Sequence, residues 1–111
     1  KYIPIKENAF LSRFKDYIDK NYSDSELSVE TMAQDLGFSR VQFYRKIKAT
    51  TGRSPVDLLR KARLLYGKKF LTETTLSVGE IAYSVGFSSP AYFTKCDKDE
   101  YGIAPCEERR S

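Results

Sequence analysis

The chain has 111 residues, of which 41% are hydrophobic and 31% are charged, and its formal net charge is +4. This length suits one domain, or two small subdomains that share a helix. Histidine is absent, which excludes Ser-His and Cys-His nucleophile pairs and mixed cysteine/histidine zinc sites. The positive charge is compatible with a nucleic-acid partner, although many domains without such a partner carry a similar charge.

The sequence contains no signal peptide and no apolar run long enough to cross a bilayer, so we expect a cytoplasmic domain without membrane contact. Two cysteines, Cys96 and Cys106, are too few for a disulfide framework or an all-cysteine zinc site, and we expect two reduced thiols, no metal and no cofactor. The chain begins with Lys1, and Pro4 disfavours regular helix. We therefore expect residues 1–6 to be the end of a linker from an upstream region.

A helical period begins at about residue 7 and ends at the turn-forming segment 21–26. Ser28 is expected to cap a short helix that stops at Gly37, and Ser39 is expected to cap a second helix that runs to about Thr51. This pattern of helix, glycine turn and helix is typical of a helix-turn-helix unit. The apolar face of the preceding helix consists of Phe10, Leu11, Phe14, Tyr17 and Ile18.

A longer helix is predicted over residues 54–72, because Ser54 is a favourable N-cap and Pro55 a favourable first helical residue. Gly67 lies inside it, at a cost of about 1 kcal/mol relative to alanine. A helix that is apolar on more than one side can pack against both of its neighbours and fix their spacing. The apolar residues are Leu59, Ala62, Tyr66 and Phe70, with Leu58 and Leu65 widening the stripe.

The first helix-turn-helix sequence is repeated later in the chain. SVETMAQDLGF at residues 28–38 returns 49 residues later as SVGEIAYSVGF at residues 77–87. Ser77 and Glu80 have the spacing of a capping box, in which each side chain accepts a hydrogen bond from the other residue's backbone. The second sequence therefore predicts a second unit of the same design.

The register changes after the second turn. Gly102 follows Gly52 by 50 residues rather than 49, so the second unit has one extra residue. Either Ser88 or Ser89 can cap its second helix. Pro105 is expected to open a final helical turn, and since no strand pattern of useful length appears, the fold class is predicted to be all-α.

These sequences resemble the AraC/XylS family of bacterial transcription regulators. The residues that carry the resemblance are LSVGEIAYSVGFSSPAYFTK at 76–95, TGRSP at 51–55 and YGIAP at 101–105, and the similarity covers about residues 8 to 109. The N-terminal part is also similar to the output domain of hybrid two-component regulators.

The resemblance implies about seven helices arranged as two helix-turn-helix subdomains, residues 7–53 and 73–111, joined by a long linker helix at residues 54–72. It implies that both recognition helices enter successive major grooves on one face of double-stranded DNA. It also implies contact with RNA polymerase, for which the sequence indicates no residue, and an upstream sensor or dimerisation domain of the same protein.

In a helix-turn-helix, bases are read by the N-terminal part of the second helix, where Arg can bond guanine, Gln can bond adenine and Val can touch a thymine methyl group. The resemblance places base contacts at Val41, Tyr44 and Arg45, with Phe43 and Ile47 in the core. The first unit is richer in donors, so we expect it to supply most hydrogen-bonded readout. The candidate base-reading residues are Arg40, Val41, Gln42, Tyr44 and Arg45 in the first unit, and Ser89, Pro90, Ala91, Thr94 and Lys95 in the second.

The candidate phosphate contacts are serines at helix starts and nearby basic residues: Ser39, Lys46, Lys48, Arg53, Lys61, Ser88 and Lys98. Three residues depart from the family pattern. Asp97 stands where the family usually has Phe, opposite Ile47 of the first unit, and a buried unpaired carboxylate would be costly, so we expect it to reach solvent or a partner. Asp99 stands where a basic residue is common, and Glu108 where Tyr is common.

An enzyme is not expected, because no glycine-rich phosphate loop appears and the acidic residues are scattered on helix faces. The alternative to a DNA-binding domain is a helical protein–protein interaction module without direct DNA readout. The doubled turn glycines, the paired caps and the basic groove face argue against that alternative.

Overall fold

The computed structural model describes residues 5–110; residues 1–4 of the expected linker and Ser111 lie outside the described residues. The described chain forms seven helices and contains no strand, which confirms the all-α prediction. The helices are α1 (Ile5–Asn21), α2 (Val29–Leu36), α3 (Arg40–Thr51), α4 (Pro55–Glu73), α5 (Val78–Ser84), α6 (Pro90–Tyr101) and α7 (Pro105–Arg110). Helix α1 begins two residues earlier than predicted, and α4 continues to Glu73.

The two turns of the helix-turn-helix units repeat each other in backbone geometry. Gly37 and Gly86 have φ angles of 87° and 98°, a left-handed conformation that costs glycine little. The residue after each glycine donates its N–H back to a carbonyl of the preceding helix, over 2.8 Å from Phe38 to Ala33 and 3.0 Å from Phe87 to Ala82. The predicted turns are confirmed.

The cap of α6 identifies the extra residue of the second unit. The Ser89 hydroxyl accepts a hydrogen bond from the Tyr92 N–H over 3.2 Å, as Ser39 accepts from Gln42 in α3. Ser89 is therefore the counterpart of Ser39, and Ser88 is the inserted residue. Of the two serines that the sequence offers as the cap, the structure uses Ser89, and the predicted phosphate contact Ser88 lies one residue before it.

Two apolar cores flank α4, which supplies residues to both. Leu59 joins the core formed by α1, α2 and α3, whereas Leu64 and Leu71 join the core formed with α5 and α6. The prediction that the linker helix packs against both units is confirmed. Leu65 does not belong to the stripe as predicted, because it follows Leu64 by one residue, about 100° around the helix, and is 63% exposed.

A cross-unit contact ties the end of α1 to the second turn. Arg63 of α4 donates to the carbonyl oxygens of Tyr22 and Asp24 over 2.8 and 2.7 Å, and the rings of Tyr22 and Tyr66 stack with centroids 3.9 Å apart. Gly86 lies against this contact, and a Cβ there would be 2.4 Å from the Tyr22 oxygen. Glycine at this turn therefore serves both the backbone conformation and the close approach of the two units.

Gly67 and Arg109 fix the second unit on α4. A Cβ on Gly67 would lie 2.8 Å from the ring of Phe93, so glycine inside α4 allows α6 to approach closely. Arg109 of α7 donates to the carbonyl oxygens of Leu71 and Thr74 at the end of α4 and to that of Leu76 in the segment that follows. These bonds satisfy acceptors that a helix C-terminus leaves without partners.

Within residues 5–110, no helix combines the length and hydropathy that a bilayer crossing requires. Cys96 is buried and Cys106 is exposed, and neither forms a disulfide.

Candidate nucleic-acid interface

The side of α3 that is predicted to face DNA is exposed, whereas its opposite side is buried. Phe43 and Ile47 are inaccessible to solvent in the first core, as predicted. Val41 is 56% exposed, and Tyr44 and Arg45 beside it are also exposed. Val41, Tyr44 and Arg45 have the i, i+3, i+4 spacing of one side of a helix, and Phe43 and Ile47 lie on the other side. Helix α3 therefore exposes one side to solvent and packs against the core through the other.

The polar residues of α3 differ in how free their side chains are. Arg40 pairs with Glu30 of α2 over 2.9 Å. The Gln42 side-chain oxygen accepts from the Ser39 backbone N–H over 3.2 Å, so a bidentate bond to adenine would require Gln42 to leave its capping box. Arg45 has no ion-pair partner among the described side chains of residues 9–110. It is therefore the freer of the two arginines predicted to read bases on this helix.

The matching face of α6 is poorer in free donors. Ala91 and Lys95 are exposed, and Thr94 and Pro90 are half-buried. Lys95 pairs with Asp99, four residues later, over 3.2 Å. The Ser89 hydroxyl serves as the N-cap of the helix.

Tyr92 was missed by the sequence reasoning. It is 46% exposed and occupies the place of Gln42, and its ring packs edge-on against Phe87 with centroids 5.7 Å apart. The offset of 50 residues that aligned Phe93 with Phe43 also aligns Tyr92 with Gln42. Applying that offset to every position of α6 would have identified Tyr92.

Two of the candidate phosphate contacts gather around one hollow where α3 meets α4. Lys48 and Arg53 line it together with Tyr44 and Arg60, in a space of about 630 Å³. Arg53 and Arg60 both contact Asp57, each over 3.0 Å. The hollow is thus polar and basic, with one carboxylate holding two guanidinium groups in place.

The other basic candidates are more varied. Lys46 is half-buried with its ammonium 5.1 Å from the ring centroid of Phe10. Lys61 of α4 pairs with Glu100 of α6 over 2.8 Å, so its ammonium group already forms an ion pair between the two helices. Ser39, Ser88 and Lys98 are exposed.

Asp97 contradicts the expectation that it would reach solvent or a partner. It is 0% exposed, like Ile47 in the first unit, and neither carboxyl oxygen has a hydrogen-bond partner in the described chain. The repeat explains this position: Phe93 and the glycine turn set α6 in the pose of α3, so Asp97 inherits a core site. Burial, and next the charge of Glu108, raise the pKa of Asp97 to about 6.

Comparison with known proteins agrees with this geometry. The helix-turn-helix domain family matches residues 32–111. The C-terminal domain of AraT, a response regulator from Geobacillus stearothermophilus, superposes with a TM-score of 0.84 at 36% identity, covering 89% of this chain and 82% of that one. The DNA-binding domain of AdpA, solved in complex with a target DNA, has a TM-score of 0.84 at 27% identity, covering 90% and 89%.

A curated relative, histidine kinase P4 of Formosa agariphila, is 31% identical over 103 residues, which are 93% of this chain but 7% of that protein. The chain spans 30% to 49% of the length of other curated relatives that it matches. The family match, the seven helices and the similarity to solved domains agree with one another: the chain belongs to the AraC/XylS family of helix-turn-helix domains.

Proposed function

We propose that this chain is the DNA-binding part of a transcription regulator, and that α3 and α6 read successive stretches of major groove in one double-stranded operator. The observation that carries the proposal is that α4 contributes to both cores, so that two exposed recognition faces are held in one rigid arrangement. The molecule is 43 Å long, which accommodates two groove contacts separated by one DNA turn of about 34 Å. The AdpA domain, solved with DNA, has the same fold.

The two units divide the readout unequally. Arg45, with no protein partner in the described chain, supplies hydrogen bonds to a base, while Val41 and Tyr44 make apolar and edge contacts beside it. In α6, Lys95 is shared with Asp99, and Ala91 offers only apolar contact. The first unit therefore provides most base-specific hydrogen bonds, and the second provides apolar, shape and backbone contacts.

Phosphate binding is proposed for the basic hollow and for the starts of the recognition helices. Lys48 and Arg53 lie at the hollow beside Tyr44, so a DNA strand read by Tyr44 passes close to both. Ser39 is the N-cap of α3, and Ser88 lies one residue before the N-cap of α6; the backbone N–H groups at such helix starts favour anions. Lys61 is the weakest of the candidates because Glu100 already neutralises it.

The wider context of the chain is part of the proposal. AraT is a response regulator and the Formosa agariphila relative is a histidine kinase, which supports an output domain controlled by an upstream sensor or dimerisation domain. Regulation by this domain then operates in the cytoplasm, by binding rather than catalysis. Contact with RNA polymerase is the expected route of activation.

The test is selection of bound duplexes from random DNA, followed by affinity measurements at two salt concentrations. We expect a site with two elements about one helical turn apart. Arg45→Ala should weaken binding to the selected site by about 1–3 kcal/mol and change binding to random DNA little. Lys20→Ala, which removes an exposed cation from α1 outside both recognition helices, is the matched control.

Equal losses for Arg45→Ala on selected and random DNA would contradict base readout by Arg45. A selected site with a single element would contradict two-groove docking. The alternative, a helical module that binds only protein, predicts no DNA retention at either salt concentration, whereas DNA binding should weaken steeply as salt rises.

A further inference from the structure

We propose that Asp97, Glu108 and Lys68 form a proton-controlled latch, which holds the second helix-turn-helix unit tightest when Asp97 is protonated and loosens it when Asp97 is ionised beside Glu108. The latch is a property of the fold. Only its consequence for DNA binding rests on the proposed function.

The three side chains come from α4, α6 and α7, which pack against one another in the second unit. Asp97 is fully buried on α6, and Glu108 of α7 is 11% exposed. The oxygens of both carboxyl groups have no hydrogen-bond partner in the described chain. Lys68 of α4 supplies the opposing positive charge: its Nζ lies 3.7 Å from Glu108 Oε2, and its charge also acts on Asp97. Two nearly buried acids thus face one ammonium group.

The other groups around this cluster do not supply a second positive charge. Tyr101 of α6 is neutral, and its ring centroid lies 4.3 Å from the ammonium of Lys68. Helix α5 brings apolar side chains, Ile81 and Val85, into the same core. Arg109 of α7 is engaged with carbonyl oxygens at the end of α4. With both acids ionised, one negative charge stays buried and uncompensated, which is costly.

A single proton removes this excess charge. Burial, with Glu108 adding to it and Lys68 opposing it, raises the pKa of Asp97 to about 6. Because the folded-state pKa lies above the unfolded value of about 3.9, the stabilisation is fully present below pH 4 and decreases as pH rises to about 6.

The latch acts on the part of the second unit that faces DNA. Asp97 sits on the core side of α6, and Lys95 and Ala91 are exposed on the same helix. When Asp97 and Glu108 are both ionised, the buried negative charge weakens the packing of α7 against α4 and α6. Helix α6 is then held less firmly in the second unit. The first unit has Ile47 at the corresponding position and contains no such device.

The experiment measures unfolding by urea, and hydrogen exchange of α6 and α7, between pH 5 and pH 7.5 on the whole chain. A pKa of about 6 predicts that the contribution of Asp97 to the folding equilibrium constant falls about tenfold over this interval. Asp97→Asn should remove that decrease. Glu73→Gln, an exposed acid on α4, is the matched control and should keep the wild-type slope.

Asp97→Asn with an unchanged slope would overturn the proposal. If Asp97→Asn does not fold, Glu108→Gln provides the test, because loss of that charge should move the decrease to lower pH; a wild-type profile would overturn the latch. Affinity for a duplex with both elements, relative to one with only the first, should fall with pH in the wild type and not in Asp97→Asn. Loss of all DNA binding with an intact unfolding profile would refute the proposed function and leave the latch standing.

Discussion

At position 67, helix propensity favours alanine, whereas close packing against Phe93 favours glycine. Replacing Gly67 by Ala gains about 1 kcal/mol in helix propensity. The new Cβ would lie 2.8 Å from Cε1 of Phe93, about 0.6 Å inside the 3.4 Å at which ordinary contact begins. The ring is fully buried and packs against Phe87 with centroids 5.2 Å apart, and such overpacking costs about 1–3 kcal/mol. We expect Gly67→Ala to destabilise the protein by about 1 kcal/mol.

Gly79→Ala is the matched control, because it adds the same methyl group to α5 without the overlap. Its Cβ would lie 3.7 Å from Pro90 and 3.9 Å from Ser77, which is ordinary contact. This variant should be neutral or stabilised by up to about 1 kcal/mol. Urea unfolding with a common m-value gives the comparison. If Gly67→Ala is as stable as Gly79→Ala, the close approach of α4 and α6 does not explain the glycine.

Two further substitutions and a salt series address the interface and the joint between the units. Asp99→Ala should raise DNA affinity several-fold, since it frees Lys95 and removes a negative charge; a gel shift that shows weaker binding would contradict this, and the exposed pair itself contributes at most about 1 kcal/mol to stability. Arg63→Met should lower the free energy of unfolding by about 1–3 kcal/mol, because the carbonyl of Tyr22 loses its donor; unchanged stability in urea would contradict it. For Arg45→Ala, affinity on random DNA should keep a salt dependence close to that of the wild type, because the proposed role is base readout rather than phosphate binding.

The elements that the sequence predicted correctly are those whose hydrogen bonds close within a few residues. Ser77 and Glu80 satisfy each other across one helical turn, and Gly86 adopts the left-handed conformation that its place after a short helix indicates. The choice between Ser88 and Ser89 was left open because both residues can cap a helix. It depends on where α6 begins, which the packing of Phe93 against α4 decides.

The ion pairs of the candidate interface are harder to predict from the sequence than the caps and turns, because some of them join residues that are distant in the chain. Lys61 and Glu100 are 39 residues apart and meet because α4 and α6 cross. Lys95 and Asp99 have the spacing of a helical pair, so this contact was accessible to sequence reasoning, which noted Asp99 only as a departure from the family. Tyr92 aligns with the exposed Gln42 at the repeat offset of 50 residues, so its exposure could also have been predicted from the sequence.

The sequence by itself determined that this protein consists of two helix-turn-helix units around one long helix, because caps, turn glycines and apolar periodicity are local and occur twice. The tertiary structure decided what the units do to each other. It buried Asp97 against Glu108 and Lys68, placed Gly67 under the ring of Phe93, and left Leu65 exposed. These outcomes depend on how far apart helices lie and on which side they face, and both quantities are set by contacts between residues distant in the chain.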